Sequence, residues 1–271
     1  MLQRLGDCMA DNIEQLLDVA HQLADAARGA ILPYFRDMDL TADNKLQGGF
    51  DPVTVADRAG EVAMREILAR LRPNDTIVGE EFGTTQGSSG VSWVLDPIDG
   101  TRGFISGTPT WGVLIGVGDE NGPFAGVIDQ PYIGERFWGG TGRAFVDGPR
   151  GKAEIRTRGD RNLADAILFT TFPEVGSTAE GAAFAQVAEQ AKLTRYGMDC
   201  YAYALLAAGQ IDLVIEAGLS NYDIQGPMAV VQAAGGIVTD WQGGPAHQGG
   251  RVVAAASQQQ HAAALEILSR V

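Results

Sequence analysis

The feature that most constrains the fold is the segment Val91–Gly107, which reads VSWVLDPIDGTRGFISG. It begins as an apolar run typical of a buried strand, turns sharply, and resumes at Thr101 with a residue type suited to starting a helix. The turn places two carboxylates, Asp96 and Asp99, at the end of one strand. Because Asp, Pro and Gly also form capped turns for purely structural reasons, the rest of the chain has to decide between a turn and a functional site.

The residues before this segment predict two helices and one strand. Apolar residues at helical spacing predict a long helix over Asp11–Phe35 and a second over Ala56–Leu71. Thr76–Val78 predicts a strand that runs directly into Gly79-Glu80-Glu81, so a second acidic strand end precedes the first. The connection between the two strand ends is long enough to bring them side by side. Two polar segments are predicted to be surface loops, Asp37–Gly49 and Thr84–Gly90.

The chain after the turn changes texture at about residue 158. Short alternating segments predict an antiparallel meander, with strands at Trp111–Val117, Phe124–Asp129, Glu135–Gly139 and in 142–148. Strand and helix patterns then alternate to the end of the chain. We therefore predict a mixed α and β protein. Its N-terminal α+β half, residues 1–158, carries most of the acidic motifs, and its C-terminal α/β half, residues 159–271, contributes Asp223, with both halves packed as one structural unit.

Composition argues against several classes of partner and location. The chain has 34 acidic and 20 basic residues, a net charge of −14, and no cluster of Lys or Arg, so we expect no nucleic-acid partner. No apolar run approaches the roughly 20 residues of a membrane span, and the first residues lack the apolar block of a secretory signal. Two cysteines, Cys8 and Cys200, provide no disulfide framework. These features predict a cytoplasmic protein without a membrane partner.

Most common catalytic chemistries lack their residues in this chain. The three histidines have no metal-ligand spacing, and no Gly-x-Ser-x-Gly sequence is present. No arginine follows Cys200 closely enough to hold a phosphate for a thiolate phosphatase, and no Walker motif or strand-linked Gly-x-Gly-x-x-Gly occurs. The remaining possibility is an oxygen-ligand site for a hard cation.

The acidic motifs provide the oxygen ligands that Mg²⁺ prefers. They comprise Glu80, Asp96, the Ile98 carbonyl, Asp99 and Asp223. Two such ions about 4 Å apart would activate a water on one side of a phosphorus atom and neutralise the leaving oxygen on the other. The hydroxyl of Thr101 could orient that water, and the backbone amides of Gly100 and Thr101, at a helix start, could bind the phosphate.

Four motifs, in this order, resemble the signatures of the inositol monophosphatase superfamily. They are Asp57 in a Val-Thr-Val-Ala-Asp context, Gly79-Glu80-Glu81, Asp96-Pro97-Ile98-Asp99-Gly100-Thr101, and Tyr222-Asp223 followed by Ala233-Ala234-Gly235-Gly236. Their order and spacing cover roughly residues 11–270. The resemblance implies a layered α-β-α-β-α sandwich. It also implies a Mg²⁺-dependent, typically lithium-inhibited phosphomonoesterase that is usually a homodimer and binds two or three Mg²⁺ ions in each active site.

The resemblance also implies a role for each matching residue. The first metal would be held by Glu80, Asp96 and the Ile98 carbonyl, and the second by Asp96, Asp99 and Asp223. The nucleophilic water would be positioned and deprotonated by Glu80 and Thr101, with Asp57 behind Thr101. The phosphate would bind the amides of Gly100 and Thr101.

Three stretches are similar to the histidinol-phosphate phosphatase branch of this superfamily: 101–111, 170–174 and 195–203. Histidinol phosphate carries an ammonium group and an imidazole, which acidic side chains would recognise. Asp199 and Glu216 are the candidates, although a helix-start acid would explain Asp199 and a solvated carboxylate would explain Glu216. The Ser220-Asn221 pair departs from the Lys-Pro expected in this branch, which bears on the substrate rather than on the metal chemistry.

We therefore predict a hydrolase that converts L-histidinol phosphate to L-histidinol in histidine biosynthesis. Inositol 1-phosphate and a 3′(2′),5′-bisphosphate nucleotide are alternative substrates. A haloacid-dehalogenase-type phosphatase needs an Asp-x-Asp sequence, whereas two residues separate Asp96 from Asp99 here. A non-enzymatic scaffold that keeps a phosphatase fold is the alternative from another class.

Overall fold

The structure of the protein is a computed structural model that describes residues 2–44 and 52–271. Within those residues the α-helices are Leu2–Ile31 (α1), Val55–Leu71 (α2), Thr101–Ile105 (α3), Thr178–Ala188 (α4), Tyr201–Ala207 (α5), Asn221–Ala233 (α6) and Gln258–Leu268 (α7). Short 3-10 turns occupy Leu32–Tyr34 and Leu163–Asp165. No helix of this described part is both long and apolar enough to cross a membrane.

The strands of the described residues form three sheets. The strands are Ala42–Asn44 (β1), Pro52–Thr54 (β2), Thr76–Gly79 (β3), Gly83–Thr85 (β4), Ser92–Asp99 (β5), Gly112–Asp119 (β6), Gly122–Gln130 (β7), Glu135–Gly140 (β8), Arg143–Asp147 (β9), Ala153–Ile155 (β10), Ile167–Thr170 (β11), Leu193–Tyr196 (β12), Leu213–Leu219 (β13), Ile237–Thr239 (β14) and Gly250–Ala255 (β15). The large sheet has the order β10-β9-β8-β7-β6-β5-β3-β4, the small sheet the order β12-β11-β13-β15-β14, and β1 pairs with β2.

Helices and sheets alternate in five layers, which confirms the predicted α-β-α-β-α sandwich. Helices α1 and α2 cover one face of the large sheet, α5 and α6 lie between the sheets, and α4 and α7 cover the outer face of the small sheet. Three apolar cores fill the spaces between these layers: one lies between the large sheet and helices α1 and α2, one surrounds α5 and α6 between the sheets, and one lies between the small sheet and helices α4 and α7. The predicted division of the chain at residue 158 stays a prediction. The large sheet comes from residues 76–155 and the small one from residues 167–255, but α6 packs on the large sheet.

The outer layer follows directly from the amphipathic pattern of α1. Its fully buried residues recur at three- and four-residue intervals, so they form one stripe that faces the sheet. They are Leu16, Ala20, Leu23, Ala24, Ala27 and Ile31. Pro33 lies in the 3-10 turn that ends the helix, as its ring and missing N–H predict.

The two acidic strand ends lie side by side, as predicted. Strands β3 and β5 are parallel neighbours with Gly79 opposite Leu95, so the turn after β3 and the end of β5 meet at the same edge. The register of β5 against β6 shifts between Asp96 and Asp99. This irregularity turns the end of β5 away from regular pairing and toward α3.

Two of the predicted loops contain short strands. Gly83–Thr85, at the start of the predicted loop Thr84–Gly90, pairs with β3 as an edge strand, and Ala42–Asn44, within the predicted loop Asp37–Gly49, pairs with β2. Each strand is three residues long and forms by pairing with a neighbouring strand, which its own polar sequence does not indicate. Residues 45–49 of the predicted loop Asp37–Gly49 lie outside the described residues.

Candidate active site

A cleft of about 410 Å³ opens where the ends of β3 and β5 meet the first turns of α3, α5 and α6. Its polar lining includes Glu80, Asp96, Asp99, Thr101, Arg102, Asp199, Glu216 and Asp223. The cleft therefore brings together residues from both halves of the chain. Among the predicted site residues, Asp57 does not line the cleft but contacts Thr101, which does.

Three aspartates form the centre of the cleft. Asp96 is buried on β5, and its Oδ1 accepts the N–H of Ile98 at 3.0 Å. Asp99 accepts the N–H of Cys200 at 2.6 Å. Asp223 is the third residue of α6, where its Oδ2 accepts the N–H of Ser220 at 2.7 Å within a capping box.

The three carboxylates are close enough to share a cation. One oxygen from each of Asp96, Asp99 and Asp223 lies within 4.8 Å of the others. Burial raises the pKa of Asp96 well above its usual value, and the neighbouring carboxylates of Glu80, Asp99 and Asp223 raise it further. The pKa of Asp99 is raised by burial and then by Asp199 and Asp223. An all-oxygen donor set in which like charges repel one another fits a hard divalent cation such as Mg²⁺.

Glu80 and the Ile98 carbonyl adjoin this cluster. The N–H of Glu80 donates to the carbonyl of Leu95 at 3.1 Å, which continues the β3–β5 pairing into the turn. A hydrogen bond between the carboxyl groups of Glu80 and Asp96 also contributes to the raised pKa of Asp96. The Ile98 carbonyl lines the cleft and accepts the hydroxyl of Thr101 at 3.2 Å.

Thr101 and Asp57 are linked through the first turns of two helices. The Thr101 hydroxyl lies 3.4 Å from Asp57 Oδ1. The other carboxylate oxygen of Asp57 accepts the N–H and the hydroxyl of Thr54 at 2.7 and 2.6 Å in the capping box of α2. Asp57 therefore caps the start of α2 with one oxygen and contacts Thr101 with the other. It can have the structural role and the functional role at the same time.

Gly100 and Asp199 are fitted to each other. Gly100 precedes α3 with φ 84°, a conformation that favours glycine, and a Cβ at this position would lie 2.7 Å from Cγ of Asp199. Asp199 itself has a φ of 47°, and its carboxylate accepts the hydroxyl of Thr110 at 3.1 Å. Cys200, not Asp199, is the N-cap of α5, so the helix-start explanation for Asp199 is wrong. Burial raises the pKa of Asp199.

Glu216 lines the cleft from strand β13. It is only 6% exposed, so the explanation that it is a solvated carboxylate is wrong. Its Oε1 accepts the N–H and the hydroxyl of Thr171 at 2.7 and 2.9 Å, and its Oε2 accepts the hydroxyl of Thr170 at 3.2 Å. Burial raises the pKa of Glu216 to about 7, against the lowering effect of these hydrogen bonds.

The cleft also contains residues that the sequence did not single out. Tyr203 lines it from α5, and its buried hydroxyl has no hydrogen-bond partner among the described residues. The guanidinium of Arg102 lies 4.9 Å from the ring centre of Phe172 at the cleft. In sequence, Tyr203 belongs to a helix of small apolar residues and is typical of packing, so only the three-dimensional arrangement identifies it.

The sequence profile of the inositol monophosphatase family matches residues 12–271, almost the whole chain. The chain belongs to the inositol monophosphatase family. It is therefore a phosphatase of a family whose members generally depend on Mg²⁺. Family membership also accounts for the order in which the acidic motifs follow one another along the chain.

Similar members of the family carry different names. The chain is 41% identical over 85% of its length to the chloroplastic bifunctional phosphatase IMPL2 of Arabidopsis thaliana, of which the match spans 66%. It is 34% identical over 91% of its length to a histidinol-phosphatase of Streptomyces coelicolor, with 94% of that protein covered. An inositol monophosphatase from Zymomonas mobilis has a similar solved structure, with a TM-score of 0.83, 39% identity, and coverage of 94% of this chain and 98% of that one. These matches agree on the family, but the names of the matched proteins refer to different substrates.

Proposed function

We propose that this protein is a Mg²⁺-dependent phosphomonoesterase that hydrolyses L-histidinol phosphate to L-histidinol, a step of histidine biosynthesis. The observation that carries the proposal is a pair of acids, the half-buried Asp199 and the buried Glu216, on the cleft that also contains the carboxylate cluster. A phosphate ester with a cationic amine is complementary to such a cleft, whereas a neutral polyol has no charge for these acids to bind. The similarity to relatives named histidinol-phosphatase supports the same substrate.

Five groups would hold the metal ions, of which we propose two or three in each active site. Glu80, Asp96 and the Ile98 carbonyl would bind one ion, and Asp96, Asp99 and Asp223 a second. When bound, Mg²⁺ lowers the pKa of water and neutralises charge on the phosphate oxygens. Burial and neighbouring carboxylates raise the pKa of Asp96 and Asp99, so a bound cation would favour their ionised forms.

Thr101 is proposed to orient the attacking water. A hydroxyl has one proton to donate and two lone pairs, and the Thr101 hydroxyl has two acceptors within reach, the Ile98 carbonyl at 3.2 Å and Asp57 Oδ1 at 3.4 Å. The lone pairs of the Thr101 oxygen then accept a hydrogen bond from the water. Asp57, fixed by Thr54, keeps the Thr101 hydroxyl in this orientation. Glu80 beside the cluster is the acceptor for the proton that the water loses.

The phosphate and the alcohol would occupy different parts of the cleft. The backbone amides of Gly100 and Thr101 at the start of α3 would bind the phosphate oxygens. The amine and imidazole of the substrate would then extend toward Asp199 and Glu216. Glu216, with a pKa of about 7, is ionised in most molecules only above neutral pH, and so its attraction for a cation depends on pH.

Inositol 1-phosphate is the second candidate substrate. The Ser220-Asn221 pair, of which Ser220 lines the cleft, stands in place of the Lys-Pro expected for histidinol phosphate and favours inositol 1-phosphate. The structural similarity to the inositol monophosphatase of Zymomonas mobilis does so too. A 3′(2′),5′-bisphosphate nucleotide belongs in the same test because loop residues shape the part of the cleft that would select the substrate.

A substrate panel tests the proposal. Release of inorganic phosphate from histidinol phosphate, inositol 1-phosphate and adenosine 3′,5′-bisphosphate is measured with Mg²⁺ and after its removal by chelation. We expect kcat/KM for histidinol phosphate to exceed the other two by at least about tenfold, since a charge-assisted contact contributes about 1.5–3 kcal/mol. Equal or faster hydrolysis of another substrate would contradict the substrate assignment, and full activity after chelation would contradict the metal chemistry.

We also propose that the protein is a cytoplasmic homodimer inhibited by Li⁺. Light scattering at the assay concentration would give the oligomeric state, and a Li⁺ titration at fixed Mg²⁺ would give the inhibition. A monomer at this concentration would contradict the first proposal, and insensitivity to Li⁺ at tens of millimolar would contradict the second.

A further inference from the structure

Helix α2 presents three charged residues on one face, spaced four residues apart: Asp57, Glu61 and Arg65. Asp57 contacts Thr101 on the turn that follows β5. Glu61 and Arg65 contact the other acidic turn, which follows β3 and carries Glu80. One rigid helix thus contacts both segments that supply the carboxylate cluster.

Glu61 holds the first half of the β3 turn. Its carboxylate is fully buried. One oxygen accepts the N–H of Glu81 at 2.7 Å, and the other lies 3.3 Å from the N–H of Phe82. A Cβ at Gly79 would overlap this carboxylate, so glycine lets the strand end approach the helix. These contacts fix the backbone on both sides of Glu80.

Arg65 holds the second half of the same turn. Its Nε donates to Glu61 at 2.7 Å, and its other nitrogens donate to the carbonyl of Gly83 at 2.5 Å and to the hydroxyl of Thr85 at 3.0 Å. The planar guanidinium joins the helix to three groups at fixed directions, a geometry that a lysine does not reproduce. Together, Glu61 and Arg65 hold residues 79–85 from one side.

Burial of the ion pair between Glu61 and Arg65 costs desolvation free energy, which a contribution to stability alone does not explain. A fully buried carboxylate is expensive to desolvate, and replacing a buried ion pair by apolar residues is often neutral or stabilising. The pair contacts the turn that points Glu80 toward Asp96. Substitution of a residue that orients a metal ligand typically lowers metal affinity or activity about 10- to 100-fold.

We propose that Glu61 and Arg65 are positioning residues that set the metal affinity of the active site by fixing the turn that carries Glu80. The inference rests on the proposed function, because it takes Glu80 to be a metal ligand. It adds a second set of residues, remote from substrate, that determines how much Mg²⁺ the enzyme needs.

The test compares Arg65→Gln with a matched variant, Arg72→Gln. Both arginines pair with a carboxylate of nearby sequence, at 2.7 Å for Arg65 and 2.6 Å for Arg72, and their side chains are 17% and 29% exposed. The partner of Arg72 is Asp75, which binds Ser89 and Trp93 rather than the Glu80 turn. The two substitutions therefore remove similar ion pairs in different places.

The readout is binding of Mn²⁺ alone, with free Mn²⁺ measured by electron paramagnetic resonance and no substrate present. Mn²⁺ shares the preference of Mg²⁺ for oxygen ligands. We expect Arg65→Gln to weaken Mn²⁺ binding about tenfold, and to raise the Mg²⁺ concentration for half-maximal rate by a similar factor. At saturating Mg²⁺ its kcat should recover to within about threefold of the original enzyme. Arg72→Gln should leave Mn²⁺ binding within about twofold, and Arg65→Lys should fall between.

Equal Mn²⁺ binding by Arg65→Gln and Arg72→Gln would overturn the inference while leaving the proposed function intact. If the unaltered protein neither binds Mn²⁺ nor releases phosphate, the proposed function fails and the inference with it. Should Arg65→Gln not fold, Thr85→Val decides, because Thr85 is exposed and the change removes one contact of Arg65. At least a twofold weakening of Mn²⁺ binding by Thr85→Val supports the inference, and unchanged binding overturns it.

Discussion

Asp129 and Asp96 are both buried aspartates on the large sheet, but their surroundings have opposite charge. Asp129 is bound by two arginines: Arg28 donates to its two oxygens at 2.7 and 3.1 Å, and Arg136 donates at 2.7 Å. The charged groups that shift the pKa of Asp96 are three other carboxylates. The protein's own arginines balance the charge of Asp129. The Asp96 cluster, in contrast, is suited to a cation that binds from solution. Burial of an acid therefore does not identify a functional site, but the sign of its neighbours does.

Substitution of Asp96 should have the largest effect on activity. Asp96→Asn removes the carboxylate proposed to bridge two metal ions, so we expect kcat to fall at least about 10³-fold. Because the same change also removes a repelled negative charge, the thermal midpoint should stay unchanged or rise. Phosphate release and a thermal melt of the same preparation measure both effects. Retained turnover would show that Asp96 is not a metal ligand.

Substitution of Asp129 should have the reverse effect. Asp129→Asn leaves Arg28 and Arg136 without their shared carboxylate, so we expect a loss of roughly 3–5 kcal/mol in the free energy of unfolding. The variant should keep its kcat and Mg²⁺ requirement at a temperature where it is folded. Urea unfolding and steady-state kinetics together provide the measurement. A stable variant with low kcat would remove the contrast between the two regions.

Glu216 is a third kind of buried acid, surrounded by hydroxyl and N–H donors rather than by a paired charge. Its pKa of about 7 means that the carboxyl gains a proton as pH falls below 7 and then attracts a cation less. We expect the ratio of kcat/KM for histidinol phosphate to that for inositol 1-phosphate to fall about tenfold from pH 8 to pH 6. Taking the ratio cancels titration of the phosphate itself.

Glu216→Gln supplies the control for this pH profile. The amide is neutral at every pH, so the ratio should be low at pH 8 and should not fall as the pH is lowered to 6. A profile in this variant that still falls with pH would assign the effect to another group, such as Asp199, whose pKa is also raised.

The smallest expected effect is on thermal stability in the presence of metal. A ligand that binds only the folded state stabilises it by RT ln(1 + [L]/Kd), about 1–3 kcal/mol at 10 to 100 times Kd. For a chain of this size we expect Mg²⁺ to raise the thermal midpoint of the original protein by a few degrees. The Asp96→Asn variant should show no shift, and Asp129→Asn should show the full one. If Mg²⁺ raised the thermal midpoint of the original protein and of both variants equally, the bound ion would lie away from Asp96.

The sequence predicts those features that depend on local pattern. The helix α1 follows from its apolar stripe, and the meeting of Glu80 with Asp96 follows from two acidic strand ends in succession. The charge balance around each acid is not local, since Arg28 is 101 residues from Asp129. The same holds for the Glu61 contacts, 20 and 21 residues away. Those features exist only once the fold has brought distant segments together.

The conformation of Asp199 is another feature that pattern alone does not predict. An acid just before a helix suggests a cap, but the left-handed backbone of this residue directs its carboxylate to Thr110 beside Gly100. The substrate is the least predictable part, because it depends on a few side chains around a cleft whose metal ligands the family shares.

The central claim is that the carboxylate cluster, and not the arginine-paired acid, takes up a divalent cation. Anomalous scattering from a crystal soaked in Mn²⁺ tests it most directly. We predict a peak about 2.0–2.3 Å from oxygens of Asp96, Asp99 and Asp223, with none at Asp129. A map without a peak at the three aspartates, or with the main peak at Asp129, would contradict the account.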